Sequence, residues 1–200
     1  MYPAEFEYFA PQTVDEVLEL LTRYGEDAKI LAGGQSLIPL MNLRLARPEA
    51  LIDLNAIPAL SYIRSEGMEI AIGALTRHRE MEFSALLAKE LPILVEAISQ
   101  IGHPAIRNRG TLGGSLAHAD PAAELPCVLT ALDGQMVEAG PDGERVIRAE
   151  YFCSSALFER KAVQKLGGEH RASSFHLQFL EHKRALSGRG YEDVDGDALM

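Results

Sequence analysis

Two Gly-Gly pairs limit what this chain can fold into more than any other feature of its sequence. The first lies in Ala32-Gly33-Gly34-Gln35-Ser36, the first glycine motif, and the second in Thr111-Leu112-Gly113-Gly114-Ser115, the second glycine motif. Glycine lets backbone N–H groups approach an anion without an intervening Cβ, and successive N–H groups form a concave nest for its oxygen atoms. A single Gly-Gly pair is also simply a tight turn. Two pairs of matching chemistry favour two segments that hold one diphosphate between them.

The residues around the first glycine motif predict a small α/β unit. Thr13 begins a capping box and precedes an amphipathic helix that ends near Gly25. Apolar runs at 28–32 and 51–54 have the length of buried strands, and a helix is expected over 37–45. Because strands that alternate with helices usually pair in parallel, we expect a small parallel sheet. The first glycine motif would then lie where a strand ends.

The pattern changes in the next hundred residues and predicts a mixed or antiparallel unit. Residues 68–72 alternate between apolar and polar, as a half-buried strand does. Helices are expected over 92–101 and 122–132, where apolar residues recur at helical spacing. Residues 135–139 and 145–148 flank a Pro-Asp-Gly turn and read as a β-hairpin. The second glycine motif falls within this unit, at what resembles another strand end.

These patterns together predict an α+β fold with two lobes. We expect a small parallel α/β lobe in residues 1–55 and a larger mixed or antiparallel lobe in residues 56–152. Residues 153–200 differ in composition, and one helix is expected there, over 174–185. Both glycine motifs should face a shared crevice between the lobes, so that Gly34 and Gly114 lie close together.

Composition excludes several classes of function. The formal net charge of −10 argues against a nucleic-acid binder, which needs a surplus of basic residues. No apolar run approaches the roughly 20 residues of a membrane helix, and the start lacks a signal peptide, so a cytoplasmic location is expected. Cys127 and Cys153 are too few for an iron–sulfur cluster or a Cys-only zinc site. Cys127 is expected to be a small buried residue, and no metal site is expected.

Histidine and arginine residues near the motifs can be explained without a functional role. His78 and His103 lack a second ligand at metal spacing and are predicted to be surface or loop residues. Arg107 and Arg109 precede the second glycine motif and could meet a phosphate or a partner, although such residues are usually solvated. Neither motif has the GxGxxG of a Rossmann unit or the GK[ST] of a P-loop, which indicates a different nucleotide-binding fold.

Both motifs and their flanking residues resemble a known family. Residues 32–39 and 109–121 are similar to the two flavin signatures in the medium subunits of molybdenum hydroxylases, of the carbon monoxide dehydrogenase and xanthine dehydrogenase type. Residues 8–13 resemble the start of these subunits, and the likeness covers about 1–152. The resemblance implies a vanillyl-alcohol-oxidase-like FAD-binding fold with FAD as cofactor. Family members continue into a third subdomain, which residues 153–200 do not resemble, and a truncated or frame-shifted product is expected.

The resemblance also implies which residues bind FAD, with no catalytic side chain among them. The diphosphate would be held by Ala32, Gly33, Gly34, Gln35, Ser36, Thr111, Gly114 and Ser115. The flavin and adenine cleft would be lined by Leu31, Leu37, Ile101, Gly102 and Ile106. The ribityl or ribose hydroxyls would lie near Ala117, Asp120 and Glu124. His118 and Asp120 would lie at the flavin edge or make structural hydrogen bonds.

In such complexes a molybdopterin-binding large subunit oxidises the substrate and a 2Fe-2S small subunit relays the electrons. The resemblance implies that this chain is the FAD-binding subunit, which passes electrons from the iron–sulfur partner to an external acceptor. It implies neither a nucleic-acid partner nor a membrane span. Two alternatives stay open: a stand-alone FAD-dependent oxidoreductase, and a catalytically silent fragment that binds a partner or nothing.

Overall fold

The computed structural model describes residues 2–120, 122–140, 143–149 and 174–180, the last range by its backbone. In chain order its helices and strands are β1 (Glu7–Phe9), α1 (Val14–Tyr24), β2 (Ala28–Leu31), α2 (Leu37–Asn42), β3 (Ala50–Asp53), β4 (Ile63–Glu66), β5 (Glu69–Gly73), α3 (His78–Glu82), α4 (Ala85–Glu90), α5 (Pro92–Gln100), α6 (Pro104–Arg107), α7 (Leu112–His118), α8 (Glu124–Ala131), β6 (Gln135–Gly140), β7 (Gly143–Arg148) and β8 (Ser174–Leu180).

Helix α1 begins and ends where its sequence signals predict. The Thr13 side chain accepts a hydrogen bond from the N–H of Glu16, and the Glu16 carboxylate accepts one from the N–H of Gln12 at 2.7 Å. The helix ends at Gly25, whose φ of 54° falls in the region that glycine adopts without strain. Its apolar face is buried, with Val17 fully enclosed. This helix therefore fixes one side of the first sheet.

The first sheet has the strand order β1-β3-β2, and both pairings are parallel. The parallel pairing predicted for this part of the chain is confirmed, although β1 was not foreseen because it is only three residues long. Behind the sheet lies a core made of Val17, Leu21, Ala28, Ala50, Ile52, Leu54, Ile57, Leu60 and Leu75. The first glycine motif leaves this sheet directly after β2.

The second sheet is antiparallel and has the order β4-β5-β8-β6-β7. The predicted hairpin is β6 and β7, and α5 packs against α8 beside the sheet. Its core consists of Ile70, Ile72, Met81, Leu87, Leu91, Leu94, Ile98, Leu112, Leu116, Leu125, Leu129, Met136 and Ala149. The second glycine motif contributes Leu112 to this core, so the two motifs lie beside different sheets.

The middle strand of the second sheet corrects the helix predicted over residues 174–185. Residues 174–180 form β8, which pairs with β5 on one side and β6 on the other. Phe175, Leu177 and Phe179 alternate with other residues, a period of two that fits a strand better than a helix. Residues 181–185, and most of the predicted tail, lie outside the described residues.

The helices of the second unit are short, and α8 buries only one face. In α8 the buried residues are Leu125 and Leu129, four positions apart on one face. Cys127 lies between them in sequence and therefore on the opposite face, where it is exposed. The expectation of a buried Cys127 is wrong for this reason, and Cys153 lies outside the described residues. No helix in the described ranges is long and apolar enough to cross a membrane.

Candidate functional site

A cavity of about 560 Å³ is lined by both glycine motifs. The first motif enters it from the end of β2, and the second from the N-terminus of α7. Gly34 and Gly114 both line this cavity. The structure thus brings together two segments about eighty residues apart, as the shared-crevice prediction requires.

The first glycine motif is an open loop with free backbone donors. Among the described residues, no group accepts a hydrogen bond from the N–H of Gly33, Gly34, Gln35 or Ser36. Gly34 has a φ of 71°, and Ser36 precedes α2 without a side-chain capping bond. The four N–H groups and the Ser36 hydroxyl therefore remain available at a cavity wall, as a nest for an anion requires.

The second glycine motif is the capped first turn of a helix and not a loop at a strand end. Thr111 Oγ1 accepts a hydrogen bond from the N–H of Gly114 at 3.1 Å. The N–H groups of Leu112 and Gly113 donate to the carbonyl oxygens of residues Thr76 and Ala74, at 3.1 and 2.8 Å. The equivalence of position expected for the two motifs is therefore wrong. Thr111, a good N-cap residue three positions before Gly114, was the sequence signal for this helix start.

The first glycine motif lies against the turn before the second, and glycine stands on both sides of the contact, at Gly33 and Gly110. A Cβ on Gly33 would overlap the carbonyl oxygen of Arg109 and lie 2.9 Å from the Cα of Gly110. A Cβ on Gly114 would lie 3.6 Å from the Cβ of Ala32. Because the atoms that Gly33 would meet are backbone atoms, they have little freedom to move aside. The first glycine motif and the turn before the second form one continuous wall of the cavity.

Most residues predicted for the site line the cavity. These are Ala32, Gly33, Gly34, Gln35, Ser36, Leu37, Ile101, Ile106, Thr111, Gly114, Ser115, Ala117, Asp120 and Glu124. Leu31 and Gly102 lie behind this lining. Leu31 Cδ1 is 3.2 Å from where a Gly34 Cβ would be, and a Cβ on Gly102 would lie 3.0 Å from Ile106 Cδ1. Their contribution is to pack residues that do line the cavity.

Part of the cavity lining was not predicted from the sequence. The additional residues are Lys29, Ile30, Leu40, Leu54, Ala74, Leu75, His78, Gly113, Ala122 and Ala123. His118, which was weighed as a flavin-edge residue, also lines the cavity. Ala74, Leu75 and His78 follow β5, and no local pattern marks them, because only the pairing of this segment with the second motif carries them to the cavity.

His78 is buried against the second glycine motif and is not the surface or loop residue predicted. Its ring Nε2 lies 3.0 Å from the carbonyl oxygen of Thr111, and its main-chain N–H donates to the carbonyl oxygen of Gly110 at 2.9 Å. Because a carbonyl can only accept, Nε2 carries the proton and Nδ1 the lone pair. Nδ1 is buried without a hydrogen-bond partner in the described part of the chain. Burial lowers the pKa of His78, so the ring is neutral near pH 7.

Arg107 is buried and therefore not the solvated or phosphate-binding residue considered from the sequence. Its Nε donates to a carboxylate oxygen of Glu82 at 2.9 Å. Its Nη1 donates to the carbonyl oxygens of Ser99, Ile101 and Gly102, at 3.3, 3.0 and 3.3 Å. Arg107 thus caps the C-terminal end of α5 and holds the segment that carries Ile101 to the cavity.

A two-sheet α+β fold whose glycine motifs meet at one cavity defines a dinucleotide-binding protein outside the Rossmann and P-loop classes. Residues 4–165 match the family described as the FAD binding domain in molybdopterin dehydrogenase. The chain belongs to this family, and FAD is its cofactor. The match extends beyond the limit near residue 152 at which the likeness was predicted to end.

Curated relatives agree with this assignment. The chain is 54% identical over 162 residues to the 6-hydroxypseudooxynicotine dehydrogenase complex subunit alpha of Paenarthrobacter nicotinovorans, covering 78% of this chain and 55% of that protein. It is 46% identical over 152 residues to the carbon monoxide dehydrogenase medium chain of Hydrogenophaga pseudoflava, covering 76% and 53%. The chain thus spans about half the length of the curated relatives it matches.

Solved structures confirm the predicted fold class. Carbon monoxide dehydrogenase from Hydrogenophaga pseudoflava, in a form that lacks the Mo-pyranopterin moiety, superposes with a TM-score of 0.82 at 39% identity. Quinoline 2-oxidoreductase from Pseudomonas putida 86 gives a TM-score of 0.81 at 34% identity. Each match covers 90% of this chain and 61% of the other. The chain is therefore an FAD-binding domain of the kind found in oxidoreductase subunits.

Proposed function

We propose that this chain is the FAD-binding subunit of a molybdenum hydroxylase complex, and that it passes electrons from an iron–sulfur partner to an external acceptor. The observation that carries the proposal is the meeting of two glycine motifs at one cavity, because a single dinucleotide can then contact both. The names of the relatives support the remainder, since they describe a complex subunit and medium chains of dehydrogenases.

The first glycine motif holds the FAD diphosphate in this proposal. Its four free N–H groups and the Ser36 hydroxyl suit the oxygen atoms of a dianion. Lys29 is the one lysine or arginine of the described residues that lines the cavity, and its Nζ donates to the carbonyl oxygen of Glu26 at 3.2 Å. Backbone dipoles therefore supply most of the compensation for the negative charge. The second motif approaches from the other side, with the Ser115 hydroxyl as a further donor.

The rest of the cavity suits the other parts of FAD. Apolar walls for the two ring systems are provided by Ile30, Leu37, Leu40, Leu54, Leu75, Ile101 and Ile106. Ala117, Asp120 and Glu124 lie on the side assigned to the ribityl or ribose hydroxyls. When bound, FAD supplies both one-electron and two-electron chemistry, and the protein positions the cofactor and tunes it. No side-chain acid or base is required of this chain.

The division into lobes is part of the proposal. Strands β1 to β3 fall within residues 1–55 and strands β4 to β7 within residues 56–152. Strand β8 comes from residues 153–200, yet it pairs inside the second sheet. We therefore propose that the second lobe also includes β8, although the segment that carries it was predicted to be a separate tail.

The test begins with the purified 200-residue chain. We expect it to bind one FAD with the absorbance bands of a flavin, and to associate with a molybdopterin-binding large subunit and a 2Fe-2S small subunit expressed with it. A chain that stays folded but binds no FAD at saturating cofactor contradicts the FAD-binding role. FAD binding without association with either subunit contradicts the role in a complex and favours a stand-alone flavoprotein.

A further inference from the structure

A side-chain bridge joins the first glycine motif to the turn before the second, from outside the cavity. Asn55 Nδ2 donates to the carbonyl oxygen of Ala32 at 3.0 Å. The Arg77 guanidinium donates through Nη2 to Asn55 Oδ1 and through Nη1 to the carbonyl oxygen of Arg109. We call this arrangement the Asn55–Arg77 bracket. None of its side chains lines the cavity, so it lies behind the residues assigned to the cofactor.

The two carbonyl groups that the bracket holds belong to the contact between the motifs. Ala32 directly precedes Gly33, and the Arg109 carbonyl oxygen is the atom that a Cβ on Gly33 would overlap. The bracket therefore forms hydrogen bonds on both sides of the contact between Gly33 and Arg109. Loss of either side chain would leave the packing around Gly33 as the remaining direct link at this point.

Each half of the bracket is itself held in place. The main-chain N–H of Asn55 donates to Asp53 Oδ1 at 2.9 Å, and the hydroxyl of Tyr8 donates to Asp53 Oδ2 at 2.6 Å. The main-chain N–H of Arg77 donates to the Glu80 carboxylate at 3.0 Å, and Arg77 forms an isolated antiparallel bridge with Thr111. Asn55 is thus fixed to the first sheet, and Arg77 is fixed to the second glycine motif.

We propose that Asn55 and Arg77 are positioning residues that set the separation of the two glycine motifs and thereby the affinity for the FAD diphosphate. This inference rests on the proposed FAD-binding function. Without the bracket the motifs can move apart, and binding must then supply the free energy that brings them together. A cofactor site that is already closed requires no such contribution, so the bracket raises affinity without touching the ligand.

The test compares FAD and ADP binding by the full chain and four variants. Asn55→Ala removes the bracket without a change in charge, Arg77→Met removes both guanidinium bonds, and Arg77→Lys keeps the charge but not the two-armed donor. Arg79→Met is the matched control, because Arg79 lies two positions after Arg77, in the helix that Arg77 precedes, and pairs with Glu82 instead. We expect Kd for both ligands to rise about 10-fold to 100-fold in Asn55→Ala and Arg77→Met, as a tenfold change needs only 1.4 kcal/mol.

Two further readouts separate positioning from a loss of fold stability. The double variant Asn55→Ala/Arg77→Met should bind FAD about as weakly as either single variant, since both remove the same bracket. The ³¹P resonances of FAD at saturation should shift in Asn55→Ala and stay unchanged in Arg79→Met. Should Arg77→Met fail to fold, Arg77→Lys carries the test, with Kd expected to rise toward that of Asn55→Ala.

The outcomes are distinct. Wild-type affinity in Asn55→Ala, or full affinity in Arg77→Lys, overturns the inference, because the first means that the bracket is dispensable and the second that charge alone matters. A wild-type chain that binds no FAD overturns the proposed function instead. Additive losses in the double variant mean that the two side chains act separately, which also overturns the bracket.

Discussion

The two glycine motifs are alike in sequence and opposite in the use they make of their backbone. In the first, four successive N–H groups have no partner among the described residues, and Gln35 is exposed. In the second, the N–H groups of Leu112, Gly113 and Gly114 are bonded to the protein itself, and Thr111 is buried. A Gly-Gly-polar pattern therefore does not say whether its donors are free. Whether the donors are free depends on the preceding residues, which are a strand end in the first motif and a helix N-cap in the second.

This contrast assigns different work to the two motifs. In the proposed function the first supplies hydrogen-bond donors to FAD, whereas the second packs a helix end tightly enough for the first to lie beside it. Substitutions in the first should therefore affect FAD binding more than folding. Substitutions at the second, or in the residues beneath it, should affect folding more.

The largest loss of stability is expected from Arg107→Met, beneath the second motif. The change takes the buried guanidinium away from the Glu82 carboxylate, which keeps only the more exposed Arg79. It also removes the Arg107 donor from three carbonyl groups at the end of α5. Removing one partner of a buried ion pair costs about 3–5 kcal/mol. Chemical denaturation of the variant measures this loss. Arg79→Met, which removes a more exposed partner of the same carboxylate, is the control and should lose less than about 1 kcal/mol.

The next largest loss of stability is expected when a methyl group is added to Gly33 or Gly113, the tightly packed glycines of the two motifs. Gly33→Ala would press on the Arg109 backbone, and Gly113→Ala would place a Cβ 2.7 Å from the Cβ of Ala74. Overpacking of this kind costs about 1–3 kcal/mol in either variant. FAD affinity separates them, because Gly33→Ala forces the motifs apart and should raise Kd more than tenfold.

Gly67→Ala provides the matched control for both glycine variants. Gly67 has a φ of 69°, and an added Cβ would meet no atom within 4 Å. This variant should show only the cost of the strained backbone, about 1 kcal/mol, with unchanged FAD affinity. Equal FAD affinities in Gly33→Ala and Gly113→Ala would show that the contact between the motifs does not govern binding.

A smaller effect is expected from substitutions of Ser36 and Thr111, which precede helices α2 and α7. Thr111→Val removes the acceptor for the Gly114 N–H and should lower the free energy of unfolding by about 1–2 kcal/mol. Ser36 makes no capping bond, so Ser36→Ala should cost less than about 0.5 kcal/mol while weakening FAD binding several-fold. Thermal unfolding and FAD titration of both variants measure the two quantities. Similar stability losses would contradict the contrast between an open loop and a capped turn.

The smallest effect is a dependence of stability on pH that arises beside the second motif. Burial lowers the pKa of His78 below its ordinary value of about 6.5, so the unfolded chain takes up this proton first. The contribution of His78 to stability is therefore present above about pH 6.5 and declines as the pH falls toward the lower folded-state pKa. Tm measured between pH 7.5 and 5.5 should fall in the wild type.

Two glutamine variants test this assignment. His78→Gln keeps a donor for the Thr111 carbonyl but cannot titrate, so its Tm should change less over the same pH range. His103 is exposed, and His103→Gln is the matched control for the loss of one imidazole. An unchanged acid slope in His78→Gln would show that another group is responsible.

Local signals predicted much of the fold. Helix α1, the parallel pairing of the first sheet and the hairpin of β6 and β7 each follow from a few neighbouring residues. The fold class and the cofactor followed from the residues around the two glycine motifs. These features succeed because a capping box, a short apolar run or a turn dipeptide acts over distances of a few residues.

The errors arose where distant residues determine the structure. His78 and Arg107 look like ordinary charged residues in sequence, and they are buried because partners come from other segments. Residues 174–180 were predicted as a helix although their alternation fits a strand, and their place between β5 and β6 cannot be inferred from their own pattern. The Asn55–Arg77 bracket likewise joins residues more than twenty positions apart. Tertiary contacts of this kind leave no periodic trace in the chain.

The middle position of β8 has a consequence for how the protein is made. A ribosome releases the chain from its N-terminus, so β5 and β6 emerge well before residues 174–180 have been synthesised. During that interval each has an edge that β8 will later cover, and uncovered strand edges are templates for aggregation. The edges of β5 and β6 must therefore be kept from pairing with other chains until residue 180 has left the ribosome. Slower translation of the residues between β6 and β8 would lengthen this interval.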